Sequence, residues 1–340
     1  MSDRYRNLRV DPLGNADFSS LSEAAFFLKG SKIPTKLVLA ATAYNESVVF
    51  ECSKLIVTGE TNDPADTVIV DSHYAKELHP QGFTRGTFWT AVVRTDGNNI
   101  TFRNLTITNA AGNGKKVGQA IALYADGCGI LVENCRLIGH QDTLFTAPFP
   151  DLNKHGRNEG FGPKNDMPRD PSVQIYRRCF IEGDVDFIFG GATALFEECT
   201  IYSHDAVAEL DPDDKTSCRG YICAPCTVPS LKYGYLFIGC RMVSNCPDHT
   251  VYLGRPWRPY GRAVFINCIT DEHICEDLFN DWDNIANRET SYFAVSEDMA
   301  PEEKTPGSFY HVMKNDAARE YISSFKSFVS NFFNNSTNIF

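Results

Sequence analysis

Residues 130–138 read ILVENCRLI: apolar side chains alternate, the run breaks at Glu133 and Asn134, and it resumes through Cys135 and Leu137. Period-two alternation marks a half-buried strand and Asn tolerates turn conformations, so the stretch reads as two short strands meeting at a corner. The pattern recurs as ITFRNLTI (100–107), VQIYRRCFI (173–181), ALFEECTIY (194–202), YLFIGCRMV (235–243) and AVFINCIT (263–270). Aligned, these segments bring Leu105, Cys135, Cys179, Cys199, Cys240 and Cys268 to one equivalent position, separated by 30, 44, 20, 41 and 28 residues. That is solenoid spacing, with 20 to 30 residues for one coil and an insertion or a second coil in the longer gaps. A leucine-rich or ankyrin array would need helices between the strands, and none is legible here. The expected fold is therefore all-β, a parallel β-helix, whose coils about 4.8 Å apart would stack these cysteines as a ladder of small hydrophobes.

The ends read differently. DFSSLSEAAFFL (17–28) places Asp and serines before an apolar stripe, the mark of a helix able to cap the first coil. The tail from about 277 to 340 has helical spacing and is expected to pack along the solenoid. It lacks the basic face that binding to a membrane surface would use. APFPDLNKHGRNEGFGPKNDMPRDPS (147–172), rich in Pro, Gly and charge, is expected to be an inserted loop that shapes a binding site. One domain spanning 1–340 accounts for the whole.

Composition narrows the function. Hydrophobic residues make up 43% of the 340 and charged residues 22%, the balance of an ordinary globular chain. The net charge of -11 disfavours nucleic acid, whose phosphates call for excess Lys and Arg. No apolar run reaches the length of a membrane span. The first residues, MSDRYRNLRV, lack the apolar stretch of a secretory signal, so a cytoplasmic location is expected. A secreted protein whose leader has been removed is the alternative. Twelve cysteines spread from Cys52 to Cys275 do not resemble the compact disulfide framework of a short secreted domain.

Two apolar strands are interrupted by carboxylates: LIGHQDTLF (137–145) by Gln141 and Asp142, and EGDVDFIFG (182–190) by Asp184 and Asp186. Two such interruptions point to a shared site, with Asp184 expected in a turn. The nucleophile elbow, zinc-helix and phosphate-loop signatures are absent. Cys218, Cys223 and Cys226 match the start of an iron–sulfur pattern without a specified fourth ligand. No cluster of ligands is evident among the eight histidines.

The ordered set GQAIAL (118–123), GHQDTL (139–144), DFIFG (186–190) and LGRPW (253–257) resembles the pectin methylesterases, a family of carbohydrate esterases. AYNESV (43–48) resembles an early family segment, with Thr42 in place of its usual glycine. The resemblance implies a right-handed parallel β-helix that removes methyl esters from galacturonate residues. It implies that Asp186 is the nucleophile, Asp142 the general acid and then base, and Gln119 and Gln141 the oxyanion donors. Arg255 would hold Asp186 ionised, and Trp257, Phe145 and Phe189 would line the sugar cleft. His140 and Phe145 depart from the family's usual residues, which bears on the cleft wall. No cofactor or metal is implied. The expected partner is methyl-esterified pectin or an oligogalacturonide, met by a monomer. A β-helical glycosidase or lyase on the same polymer, or a non-catalytic β-helical binding protein, is the alternative.

Overall fold

The computed structural model describes residues 5–14, 16–78, 81–150, 162–164, 167 and 169–336. Its strands form three parallel sheets of eleven, seven and eight strands, wound as a right-handed parallel β-helix. Each complete coil gives one strand to each sheet, and the end coils give fewer. Strand Ile130–Glu133 lies between Ile100–Arg103 and Val173–Arg177 in the eleven-stranded sheet, and Arg136–Ile138 lies between Thr106–Asn109 and Phe180–Gly183 in the eight-stranded sheet. Every gap between the aligned positions is thus a single coil. The longer gaps hold insertions and no second coil.

The corner read from ILVENCRLI is built on left-handed backbone. Asn104, Asn134, Arg178, Glu198, Gly239 and Asn267 all have φ between 50° and 59°. This turns the chain sharply between sheets, and Asn and Gly suit it because they tolerate positive φ best. The next residue points inward, and Leu105, Cys135, Cys179, Cys199, Cys240 and Cys268 are all buried in one central core. Their thiols are hydrogen-bonded to the coil before: Cys179 donates to the carbonyl of Val132 (3.3 Å), Cys199 to Tyr176 (3.4 Å), Cys240 to Phe196 (3.4 Å) and Cys268 to Phe237 (3.6 Å). Beside them Tyr176, Phe196, Phe237 and Phe265 stack with centroids 4.3–4.8 Å apart. That spacing is the coil rise itself.

At the N-terminus the helix Leu21–Leu28 starts at Ser20, whose hydroxyl accepts from the Glu23 amide, while the Glu23 carboxylate accepts from Ser19. This reciprocal cap fixes the helix start. Leu21, Ala24, Ala25 and Leu28 close the end of the core. Glu46 of AYNESV accepts hydrogen bonds from the Leu21 and Ser22 amides, and Tyr44 donates to the carbonyls of Val10 and Ala40. That early segment therefore works in the cap.

The expected helical tail begins later than 277. Tyr292–Ser296 and His311–Met313 add two further strands to the eleven-stranded sheet, and the helix runs over Asn315–Ser336. Edge pairing with the strand Arg262–Ile266 overrides local helical spacing there. Ala318, Phe325, Val329 and Phe333 of the helix form one buried cluster with Leu131, Val173, Ile175, Leu195, Leu236, Val264, Ile266 and Ala294, so the helix helps bury the outer face of these six strands. Among the described residues no helix is long and apolar enough to cross a membrane. Residues 151–161, 165–166 and 168 of the expected loop lie outside the described residues.

Candidate active site

The seven-stranded sheet brings the separated motifs side by side. Strands Leu123–Asp126, Leu144–Thr146, Val185–Gly190, Gly220–Pro225 and Val251–Gly254 are successive neighbours. Gln119 precedes the first of them, Asp142 the second, Asp186 lies in the third, and Arg255 follows the last. The register slips by one residue between Val185 and Ile188, a β-bulge centred on Asp186. Bulges re-aim side chains, and Asp186 adopts φ 52° there. Asp142 is also left-handed, at φ 69°, and its amide donates to the carbonyl of Val185. Neighbouring coils thus present the two carboxylates together.

Arg255 grips Asp186 with both arms, Nε to Oδ1 at 2.8 Å and Nη2 to Oδ2 at 2.7 Å. Its guanidinium is held between the rings of Tyr221 (3.6 Å) and Trp282 (3.7 Å). Asp142 has no such partner, and its carboxyl accepts no hydrogen bond among the described residues. Burial first, and then the charges of Asp186 and Asp184, hold its carboxyl well above the ordinary carboxylate range. Burial also raises Asp186, but the charged hydrogen bonds from Arg255 pull the other way. These surroundings favour ionisation of Asp186 over that of Asp142.

Gln119 and Gln141 flank the carboxylates. The carbonyl of Gln119 accepts from Ala75, and that of Gln141 from Ala120. Neither side-chain amide is engaged by another described residue, so both can donate to a ligand. Gly114 lies against Gln141 so closely that an added Cβ would stand 2.7 Å from the Gln141 Cβ. The turn at Gly114 therefore fixes where the amide sits.

The expected aromatic wall needs correction. Phe145 is fully buried and Phe189 nearly so, and both pack with Phe88, Tyr124 and Phe149 in a small core of their own. Phe149 stacks on Phe145, and Phe88 and Trp257 lie against Phe189. Trp257 is half-buried on this layer, 5.6 Å from Phe189, and remains able to meet a sugar. Sequence reading missed Phe88, Tyr221 and Trp282. Trp282 falls in the tail expected to be helical, and Tyr221 falls between cysteines considered as ligands. Those cysteines do not converge: Cys223 is in the central core, whereas Cys218 is exposed.

Asp184 also does more than turn the chain. It is buried, and its carboxylate meets His140 Nδ1 at 3.2 Å. The His140 ring lies 5.0 Å from that of His204, which meets Glu209 at 2.7 Å. No histidine cluster was legible in the sequence, because His140, Asp184 and His204 come from three different coils.

Comparison with known proteins places this arrangement. The pectinesterase family model matches residues 7–151 and 169–327. Pectinesterase 31 of Arabidopsis thaliana is 29% identical over 294 residues, covering 85% of this chain and 81% of that protein. The structure of pectin methylesterase from Yersinia enterocolitica is similar with a TM-score of 0.70 and 25% identity, covering 89% of this chain and 97% of the other. A pectin methylesterase solved in complex with a hexasaccharide superposes with a TM-score of 0.73 at 22% identity, covering 95% of this chain and 96% of that one.

Proposed function

The chain belongs to the pectinesterase family, and on that premise we propose how it hydrolyses the methyl esters of galacturonate residues in pectin. Asp186, ionised and aimed by Arg255, attacks the ester carbonyl carbon through a carboxylate oxygen. The carbonyl oxygen becomes an oxyanion and accepts hydrogen bonds from the side-chain amides of Gln119 and Gln141. These neutral donors stabilise the developing charge without neutralising the nucleophile. As the tetrahedral intermediate collapses, the carbon–methoxy bond breaks and Asp142 gives its proton to the methoxy oxygen, so methanol leaves. An acyl anhydride on Asp186 remains. Asp142, now ionised, takes a proton from water, whose oxygen attacks the acyl carbon. The adduct collapses, Asp186 returns as carboxylate, Asp142 keeps the proton taken from water, and the freed galacturonate carboxyl loses its own proton to solvent.

The observation that carries this reading is the two-armed Arg255–Asp186 pair beside an unpaired, buried Asp142. Two carboxyls pushed apart in acidity by their surroundings supply a nucleophile and an acid at one pH. A cytoplasmic enzyme acting on imported methylated oligogalacturonides is part of the proposal. Twelve free cysteines and the acidic net charge, which would repel a long polygalacturonate, support it. The deciding assay incubates the protein with methylated pectin and with short methylated oligogalacturonides. Methanol release with uncut chains is expected, faster on the oligomers. Shortened chains without methanol would instead assign a glycosidase or lyase.

A further inference from the structure

The edge next to the active site carries a second group of side chains that the hydrolysis does not use. His140, Asp184 and His204 occupy equivalent positions on three successive coils, since Ile138 pairs with Glu182 and Gly183 with Ser203. The intervening coil contributes a buried carboxylate, and the outer two contribute imidazoles. Glu209 reaches the same point from the turn that follows His204. One ligand atom from each of His140, His204 and Glu209 lies within 4.8 Å of the others.

We infer that His140, His204 and Glu209 form a binding site for a divalent transition metal, with Zn2+ as the best match. Two imidazoles and one carboxylate, with a fourth position left to water, are a recurrent zinc donor set. Ca2+ and Mg2+ call for a shell of oxygens that this group cannot supply. Outer partners hold the donors in place. Asp184 engages His140 at Nδ1, which leaves Nε2 as the ligand atom. Asn113 donates to Glu209 Oε2 at 2.9 Å and to the carbonyl of Ala206. His204 Nδ1 lies 4.0 Å from Glu182. A carboxylate behind a histidine fixes its ring orientation and raises its basicity as a ligand.

The segment that carries Glu209 is itself anchored. Arg219, fully buried, pairs with Asp205 at 2.9 Å and donates to the carbonyl of Ser217. The cluster therefore differs from a chance meeting of surface side chains, because each end of the turn is fixed before any ion arrives. A bound ion would clip the turn 204–219 to a coil two levels away.

The test uses the full chain stripped with a chelator and then titrated with Zn2+ in a calorimeter, without substrate. One equivalent should bind and raise the thermal midpoint, and Co2+ in its place should give the visible absorption of a low-symmetry four-coordinate site. His204→Ala and Glu209→Gln should each weaken binding about tenfold or more, and Asn113→Ala about tenfold through loss of the outer partner. Glu209 is exposed, so Glu209→Gln should keep the metal-free melting point of the wild type and remains informative if His204→Ala does not fold. Absence of saturable uptake by the wild type, or uptake unchanged in Glu209→Gln, overturns the assignment. The outcome is independent of the esterase reading, since no substrate is present.

Discussion

Asp142 and Asp186 sit on adjacent coils, and both hold left-handed backbone, at φ 69° and 52°. L-residues other than Gly, Asn and Asp pay about 1–2 kcal/mol there, and such strain gathers at functional sites. Asp142→Asn and Asp186→Asn should each lower kcat by orders of magnitude, measured as methanol release. Asn tolerates the backbone, whereas Ala does not. The corresponding Ala variants should therefore lose as much activity and also melt below the Asn variants, seen by calorimetry. Substantial turnover in either Asn variant would remove that carboxylate from the mechanism.

Gly114 offers a test of the oxyanion donors that leaves both glutamines in place. A methyl group at this position would press on Gln141 Cβ and Oε1. Gly114→Ala should shift the amide and lower kcat more than it raises KM, since these donors act mainly in the transition state. Loss of a whole donor, as in Gln141→Ala, should cost about 2.7–4 kcal/mol. A change confined to KM in both variants would make Gln141 a ground-state contact.

The rings around Arg255 bear on pH dependence. Arg255 lowers the Asp186 pKa against the effect of burial, and Trp282 helps hold Arg255 in place. Trp282→Leu removes a cation–π contact worth about 0.5–2 kcal/mol and loosens the grip. Asp186 should then protonate at higher pH, so the acidic limb of the kcat/KM profile should move upward. An acidic limb that stays in place would confine Trp282 to packing.

Asp142 should weaken the fold as pH rises. Its folded pKa lies above the unfolded value, so the native state binds the extra proton, and stability is lost between the two values as pH increases. Asp142→Asn removes this loss. The variant should melt near the wild type in acid and above it well beyond the carboxylate range. Equal melting points throughout would mean that Asp142 is not desolvated.

The cysteine ladder predicts a reagent pattern. Each thiol from Cys179 to Cys268 donates a proton to a carbonyl, which a disulfide sulfur cannot do, and burial pushes the Cys135, Cys199 and Cys268 thiols up. Ellman's reagent should label the exposed Cys218 quickly in the native protein and count all twelve thiols after denaturation without reductant. A markedly lower denatured count would reveal disulfides and favour a secreted enzyme.

The coils were legible because each corner carries a local signature, a residue able to hold positive φ followed by a small buried one. The carboxylates were legible because they break apolar strands, and the motif order identified their partners. Contacts across coils left no such trace. Trp282 and Tyr221 meet Arg255 only through stacking, Phe149 stacks on Phe145, and His140 finds His204 two coils away. The strand Tyr292–Ser296 was hidden for a related reason: its pairing partner lies about thirty residues earlier, outside any local window.

The C-terminal helix has a consequence for how the molecule comes apart. A solenoid in which each coil touches only its neighbours can fray from its ends, one turn after another, because nothing distant is lost when a terminal turn opens. Here a single helix shares one buried cluster with residues of six consecutive strands, from the one bearing Leu131 to the one bearing Ala294, with Lys326 paired to Glu197 partway along. It acts as a splint. Opening a turn under it costs contacts with a body that the other turns also hold, which converts a row of nearly independent steps into one concerted transition. The carboxylates lie within that splinted span, so their alignment is protected from fraying at either end.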